Sequence, residues 1–168
     1  MASPPEEEAP GPVGSGPGAA GDGRGEEAFD AALWRYTGYR MRRAWGVVQA
    51  DMAEALRPVG LRNSTFSALA MVCTRPGLTQ TELAQAIAVE RPNLVVLLDE
   101  LAARDLIRRE RRESDRRSFA LLPTAAGQKL FRRAQALNDA HEARLFAGFD
   151  AEERAALNRL LARVEGRE

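Results

Sequence analysis

The 168-residue chain is poor in the residues on which most protein chemistry is built. It has one cysteine, Cys73, so no intrachain disulfide can form and a reducing compartment is expected. It has one histidine, His141, and no cysteine–histidine spacing of the zinc type, so neither a metal nor a cofactor is expected. No motif joins that histidine to the cysteine, and no glycine-rich loop sits between a strand and a helix to cradle a phosphate. The acids mostly occupy helix-capping or arginine-interleaved positions, so no catalytic residues are assigned and an enzyme is not expected. No apolar run approaches the ~18 residues that suggest a membrane span. The N-terminus also lacks the basic and apolar regions of a secretion signal, so a cytoplasmic, non-membrane protein is expected. Lysine is nearly missing too: Lys129 is the only one, and arginine supplies the other cations.

The chain as a whole has no charge bias, with a formal net charge of zero, but that average hides an asymmetry. Residues 1–30 carry seven acids against one arginine, and the remainder carries a net charge of +6. Residues 1–26 form an acidic tail rich in glycine and proline, with Glu6-Glu7-Glu8 and almost no large apolar side chain. Burial cannot offset the ordering entropy of such a segment, so disorder is expected there. The basic remainder, residues 27–168, has the composition of one folded domain and the charge of a phosphate-binding surface.

Residues 77–124 organise that domain. Thr79 and Glu82 form a capping box that opens a helix with Leu83, Ala84 and Ile87 on one face. After a break at Ala88-Val89-Glu90, Pro92 sits near the start of a second helix, where its missing N–H costs nothing. Leu94, Leu97, Leu98 and Leu101 form the inner face of this helix. Its outer side carries Arg91, Pro92, Asn93, Val95, Val96 and Asp99, with little charge for a solvated surface. Exposed valines suit a major groove, where thymine methyls take apolar contacts and Asn pairs bidentately with adenine. The alternative reading is that they pack on another element. Residues 104–117 then hold seven arginines and four acids, too charged to be buried. The flanking segments can pair as strands, with Ile107, Phe119 and Leu121 on the packed side. An arginine-tipped hairpin after a helix-turn-helix is a winged helix, whose tip can enter a minor groove.

Helices from the two chain ends surround this lobe. Residues 27–57 show a heptad-like stripe of Trp34, Gly38, Met41, Trp45, Val48, Met52 and Leu56. Residues 64–75 read as a helix capped by Asn63 or Ser64, with Phe66, Leu69, Ala70 and Cys73 aligned, which makes Cys73 a small core residue. A long helix runs from the cap Thr124 to about Gly148 with a seam through Leu137, His141 and Leu145, and a last amphipathic helix follows the box Asp150–Glu153. Helices at 27–57 and 125–165 carry more apolar surface than one small lobe at 62–123 can cover. An intertwined homodimer is the simplest use of it, and it presents two recognition helices to the half-sites of a palindrome. His141 reads as a satisfied seam histidine, or alternatively as an effector contact or pH-sensitive group.

Several runs together resemble the MarR family of winged-helix transcription factors. These are Leu83-Ala84, Leu97-Leu98-Asp99-Glu100-Leu101, Arg104-Asp105-Leu106-Ile107, Asp115-Arg116-Arg117-Ser118, Leu121-Leu122-Pro123-Thr124 and Gly127. The resemblance spans roughly residues 30–165. It implies a mainly α fold with a small β-hairpin wing (α+β), made of a winged helix-turn-helix lobe and a helical dimerisation region from both chain ends. It also implies a bacterial, cytoplasmic, nucleoid-associated repressor that binds double-stranded DNA at a palindromic operator and is released by a small aromatic or phenolic acid or a related thioester. Arg91, Pro92, Asn93 and Val96 would then face the major groove. Arg112, Arg116 and Arg117 would hold phosphates or enter the minor groove, with Asp115 orienting Arg117 through the family's Asp-x-Arg pattern. The family's effector cleft would draw on Met41, Trp45, Met52 and Phe66, with Arg40 or Arg43 for a carboxylate and His141 nearby. Many members carry a basic or hydroxyl residue where this chain has Val95 and Val96, so their base preference does not transfer.

Two alternatives stand beside this reading. One is a winged-helix module that docks an acidic protein surface through the arginine hairpin. The other is a ligand-independent architectural DNA-binding protein with strong salt dependence and almost no specificity ratio.

Overall fold

The computed structural model describes residues 32–111 and 118–166. Contacts divide the chain into a unit ending at Arg42 and a larger one from Arg43 to Glu168. In chain order the elements are α1 (Thr37–Leu56), a 3-10 turn (Arg57–Val59), α2 (Asn63–Thr74), α3 (Gln80–Ala86), α4 (Arg91–Ala103), β1 (Ile107–Arg111), β2 (Phe119–Pro123), α5 (Ala125–Leu145) and α6 (Ala151–Val164). The expected class, mainly helical with a two-stranded antiparallel hairpin, is the one observed.

Most boundaries follow the local chemistry. Pro58 closes α1, because a proline nitrogen cannot continue the helical ladder. Gly60, at φ 62°, turns the chain into α2. The expected cap of α2 was Asn63 or Ser64, but the cap position is Arg62, whose backbone N–H donates to Thr65 Oγ1 at 2.9 Å. Thr65 answers with a bond to the Arg62 carbonyl, so the hydroxyl three residues inside the helix does the capping. The helix expected from residue 27 does not run unbroken: among the described residues, Ala32–Tyr36 run through a turn and α1 begins at Thr37, while residues 27–31 lie outside the described residues. Within that first unit Arg40 Nε donates to the Trp34 carbonyl at 2.8 Å, and its guanidinium lies 5.5 Å from the Trp34 ring centre.

In the larger unit the core is one cluster. Leu56, Leu69, Val72, Leu83, Leu94, Leu98, Leu101, Ile107 and Leu121 are buried in it, and Ala134 brings α5 onto it. Burying such side chains stabilises by about 1.5–3 kcal/mol each relative to exposure. The hairpin pairs Ile107 with Pro123, Arg109 with Leu121 and Arg111 with Phe119. Phe119 corrects the sequence reading. It shares a face with buried Leu121 but is 39% exposed, because its register opposite Arg111 carries it past the core, where the Arg111 guanidinium covers the ring at 5.9 Å. Leu78 adds a bridge the sequence reading missed: Leu121 N–H donates to the Leu78 carbonyl and Gly77 N–H to the Leu121 carbonyl, both at 2.8 Å. This ties the start of the helix-turn-helix to the wing.

Candidate functional site

The helix-turn-helix is locked at each end by its own sequence. Thr79 Oγ1 accepts from Glu82 N–H at 3.2 Å, and the Glu82 carboxylate accepts from Thr79 N–H at 2.7 Å, which completes the expected capping box. The turn ends α3 with Ala88 N–H to the Gln85 carbonyl and Val89 N–H to the Ala84 carbonyl, at 3.3 and 3.0 Å. That is a Schellman arrangement, and it holds Ala88 at φ 51° without a glycine. Arg91, at the start of α4, reaches back to Thr81 Oγ1 at 2.7 Å and braces the two helices.

Between those fixed ends, α4 turns its leucines inward and its other face outward. Leu94, Leu97, Leu98 and Leu101 are buried. Arg91, Pro92, Asn93, Val95, Val96 and Asp99 are exposed, with Val96 at 62%. The structure thus gathers the four expected major-groove residues, Arg91, Pro92, Asn93 and Val96, on one open surface. Among the described residues both valines are exposed, Val95 at 44% and Val96 at 62%.

Strand β1 supplies cations next to that surface. Arg109 Nη2 lies 2.5 Å from Asp99 Oδ1 of α4, and Arg108 pairs with Glu110 on its own strand. Arg109 therefore links wing to recognition helix. Local sequence carries no sign of it, because the partners belong to different elements. Arg112, Asp115, Arg116 and Arg117, expected at the wing tip, lie outside the described residues.

The residues expected at an effector cleft are described within their own units. Phe66 is buried in the core and Met52 is packed against it. Trp45 is 58% exposed and lines a cleft of about 260 Å³ with Phe146 and Leu157. Arg43 is exposed, and Arg40 and Met41 belong to the first unit. His141 is buried, with 1% exposure, and its Nδ1 lies 2.6 Å from Asp51 Oδ2 of α1. Arg144 meets the same oxygen at 2.7 Å. The His141 bond, and next the Arg144 bond, hold the Asp51 carboxyl below its ordinary pKa, so an ionised Asp51 requires the proton on His141 Nδ1. Cys73 is half-buried, and desolvation pushes its thiol up to about 11 against a smaller opposing effect of Arg132, the reverse of an activated cysteine.

A larger opening lies elsewhere. A cavity of about 800 Å³ runs between the outer face of α1 and the start of α2, over Gly46, Ala50 and Ala53, with Leu61, Arg57 and Arg62 around it. Arg62 also pairs with Glu100 of α4. None of the lining residues was expected at a site, and a stripe of small residues followed by Arg57 and Arg62 carries no recognisable motif.

Comparison with known proteins places this architecture. The family model described as MarR family matches residues 59–118. The chain is 31% identical over 137 residues to the HTH-type transcriptional repressor Rv2887 of Mycobacterium tuberculosis, covering 82% of this chain and 96% of that protein. A structure of Rv2887 in complex with salicylic acid superposes with a TM-score of 0.62 at 30% identity, covering 77% of this chain and 96% of that one. The transcriptional repressor CouR bound to a 23-mer DNA duplex gives a TM-score of 0.77 at 36% identity, covering 81% and 96%. CouR from Rhodococcus jostii bound to p-coumaroyl-CoA gives 0.71 at 28%, covering 79% and 93%. An exposed recognition helix, a strand-borne arginine strut and a match over nearly the full length of such relatives have one reading: this chain belongs to the MarR family of transcriptional regulators.

Proposed function

We propose that the chain acts as a homodimeric repressor of a palindromic operator and is released by a small aromatic or phenolic acid or a related thioester. The observation that carries the DNA-binding part is the open face of α4, where Asn93 and Val96 stand exposed beside Arg91. Asn93 reads adenine and Val96 meets thymine methyls, while Arg112, Arg116 and Arg117 hold backbone phosphates. Asp115 orients Arg117.

The dimer is supported by α6, which has no buried residue and exposes Leu160, Leu161 and Val164. A 14-residue helix gains little from its own hydrogen bonds, so a second copy is needed to cover that stripe. Ligand release is supported by the relatives found with salicylic acid and p-coumaroyl-CoA. An effector acts by favouring one spacing of the two recognition helices over another.

Fluorescence anisotropy tests the reading directly. The full chain is titrated onto its own upstream intergenic DNA and onto a scrambled duplex of equal length, at fixed salt, with and without salicylate and p-coumaroyl-CoA. The expected result is binding to the upstream DNA about a thousandfold tighter than to the scrambled duplex, reversed by one compound. Equal, weak binding to both duplexes would refute specific repression.

A further inference from the structure

We propose that Arg104 is a positioning residue for operator recognition: it pins α4 to the turn between α1 and α2, and so limits which spacing of half-sites a dimer accepts. This rests on the reading of the chain as a homodimer on a palindromic operator, and it names a residue that carries geometry from α1 to the helix proposed to read DNA.

The turn has the construction of a joint. α1 stops at Leu56, because Pro58 cannot continue its ladder, and Gly60 at φ 62° redirects the chain toward α2. Gly60 N–H donates to the Arg57 carbonyl at 3.0 Å, and Leu61 N–H reaches the Leu56 carbonyl only at 3.5 Å. The second bond is at the outer limit of useful length. Short stretches that absorb a change of backbone angle are where packed elements pivot.

Arg104 closes this joint from α4. It is the C-cap of that helix, where its N–H donates to the Glu100 carbonyl at 3.3 Å. Asp105 N–H to the Ala102 carbonyl and Leu106 N–H to the Leu101 carbonyl follow, both at 2.9 Å, with Asp105 left-handed at φ 53°. This ordered ending fixes the point from which the Arg104 side chain starts. Its Nη1 donates to the Gly60 carbonyl at 2.7 Å and its Nη2 to the Val59 carbonyl at 3.4 Å. A guanidinium is a planar fork, so bonds to two successive carbonyls set direction as well as distance. Glu100, one turn earlier on α4, pairs with Arg62, but Arg62 is already the cap of α2 and lies beyond the turn. Arg104 holds the turn itself.

The two recognition helices of a dimer meet half-sites about one turn of DNA apart. One added base pair shifts a half-site by about 3.4 Å and rotates it by about 35°. A recognition helix fastened to α1 cannot follow that displacement, whereas one that pivots at the turn can. Arg104 therefore acts on discrimination between spacings.

The test is fluorescence anisotropy with the full chain on three duplexes: the upstream site, and the same site with one base pair inserted or deleted at its centre. Thermal melts establish that each variant is folded. Wild type is expected to bind the native spacing about a hundredfold tighter than the altered ones. Arg104→Ala is expected to bind the altered duplexes about fivefold tighter than wild type does and the native one no tighter, so that the ratio shrinks to about twentyfold or less. Loss of structure would not tighten binding to any duplex. Arg133→Ala removes a cation from the hollow that Arg104 also lines, and is expected to behave as wild type. Unchanged or weaker binding of Arg104→Ala to the altered duplexes overturns the proposal. So does an equal gain in Arg133→Ala, which would assign the effect to the surface and not to the link. A wild type that binds all three duplexes equally overturns the homodimer reading and this inference with it. A spacing preference that Arg104→Ala retains in full removes this inference alone.

Discussion

The Leu106 carbonyl oxygen lies 1.9 Å from where a Cβ on Gly127 would stand. The first turn of α5 is laid directly against the segment that leads from the recognition helix into the wing. Thr124 fixes the contact: its N–H donates to the Leu106 carbonyl at 3.1 Å, its hydroxyl to the Asp105 carbonyl at 2.6 Å, and its Oγ1 caps Gly127 N–H at 2.9 Å. The obstacle is backbone, so no side chain can swing aside. Gly127→Ala is expected to destabilise the fold by about 2–3 kcal/mol, the usual cost of forcing extra atoms into a packed contact. Chemical denaturation reads this as a lower midpoint at unchanged slope, and a midpoint equal to wild type would show that the contact relaxes freely.

Ala88 offers the opposite experiment. It occupies the left-handed region at φ 51°, at the position where helix C-terminal motifs favour glycine. Its Cβ strains the turn of the helix-turn-helix. Ala88→Gly is expected to raise stability by about 0.5–1 kcal/mol, the relief of strain exceeding the added entropy of the unfolded chain. A lower melting temperature would contradict this.

The Asp51–His141–Arg144 cluster makes stability depend on acid. The folded Asp51 carboxyl titrates below its ordinary value, first through the His141 bond and then through Arg144. A depressed carboxyl stabilises the fold above its unfolded pKa, about 4, and that contribution is lost as pH falls through the lower folded value. Asp51→Asn should therefore melt below wild type at pH 7, with the gap closing as the pH is taken below about 4. A gap that stays constant across that range would show that shape matters there and charge does not.

How far the fold was legible depends on how local each signal was. The capping boxes at Thr79–Glu82 and Asp150–Glu153 and the inward leucines of α4 are visible because their partners lie within a turn or two of one helix. Asn63 and Ser64 are the usual capping types, but at the start of α2 the capping hydroxyl is Thr65, which bonds back to Arg62. Phe119 was placed inside because alternation puts it on the face of Leu121, and alternation does not say where along a strand the core stops. The effector residues follow from the family resemblance, and aromatic and sulfur side chains build cores as readily as clefts, as Phe66 and Met52 do here. The cavity beside Arg62 left no trace, since its arginine meets Glu100 from 38 positions away and its floor is defined by side chains that are small.

The same difficulty hid the Arg109–Asp99 pair, and it leads to a prediction about DNA binding. A basic residue on the strand of a wing invites assignment as a phosphate contact. Arg109 instead points at Asp99 of the recognition helix, at 2.5 Å, and is the less exposed partner at 33% against 61%. Such a pair contributes little to global stability, at most about 1 kcal/mol, but it ties together the two elements proposed to meet DNA. If Arg109 is a strut, Arg109→Ala, Asp99→Ala and the double variant should lose similar operator affinity, since each breaks the same link. The dependence of affinity on salt should match wild type in all three, because no phosphate contact has been removed. A phosphate-binding Arg109 would behave otherwise. Its loss would lower the salt slope by about one, and Asp99→Ala would tighten binding by removing an acid near the backbone. Operator titrations of the three variants at several salt concentrations separate the two outcomes. Arg117→Ala serves for comparison: with Arg117 proposed as a phosphate contact, it is expected to weaken binding to every sequence and flatten the salt dependence.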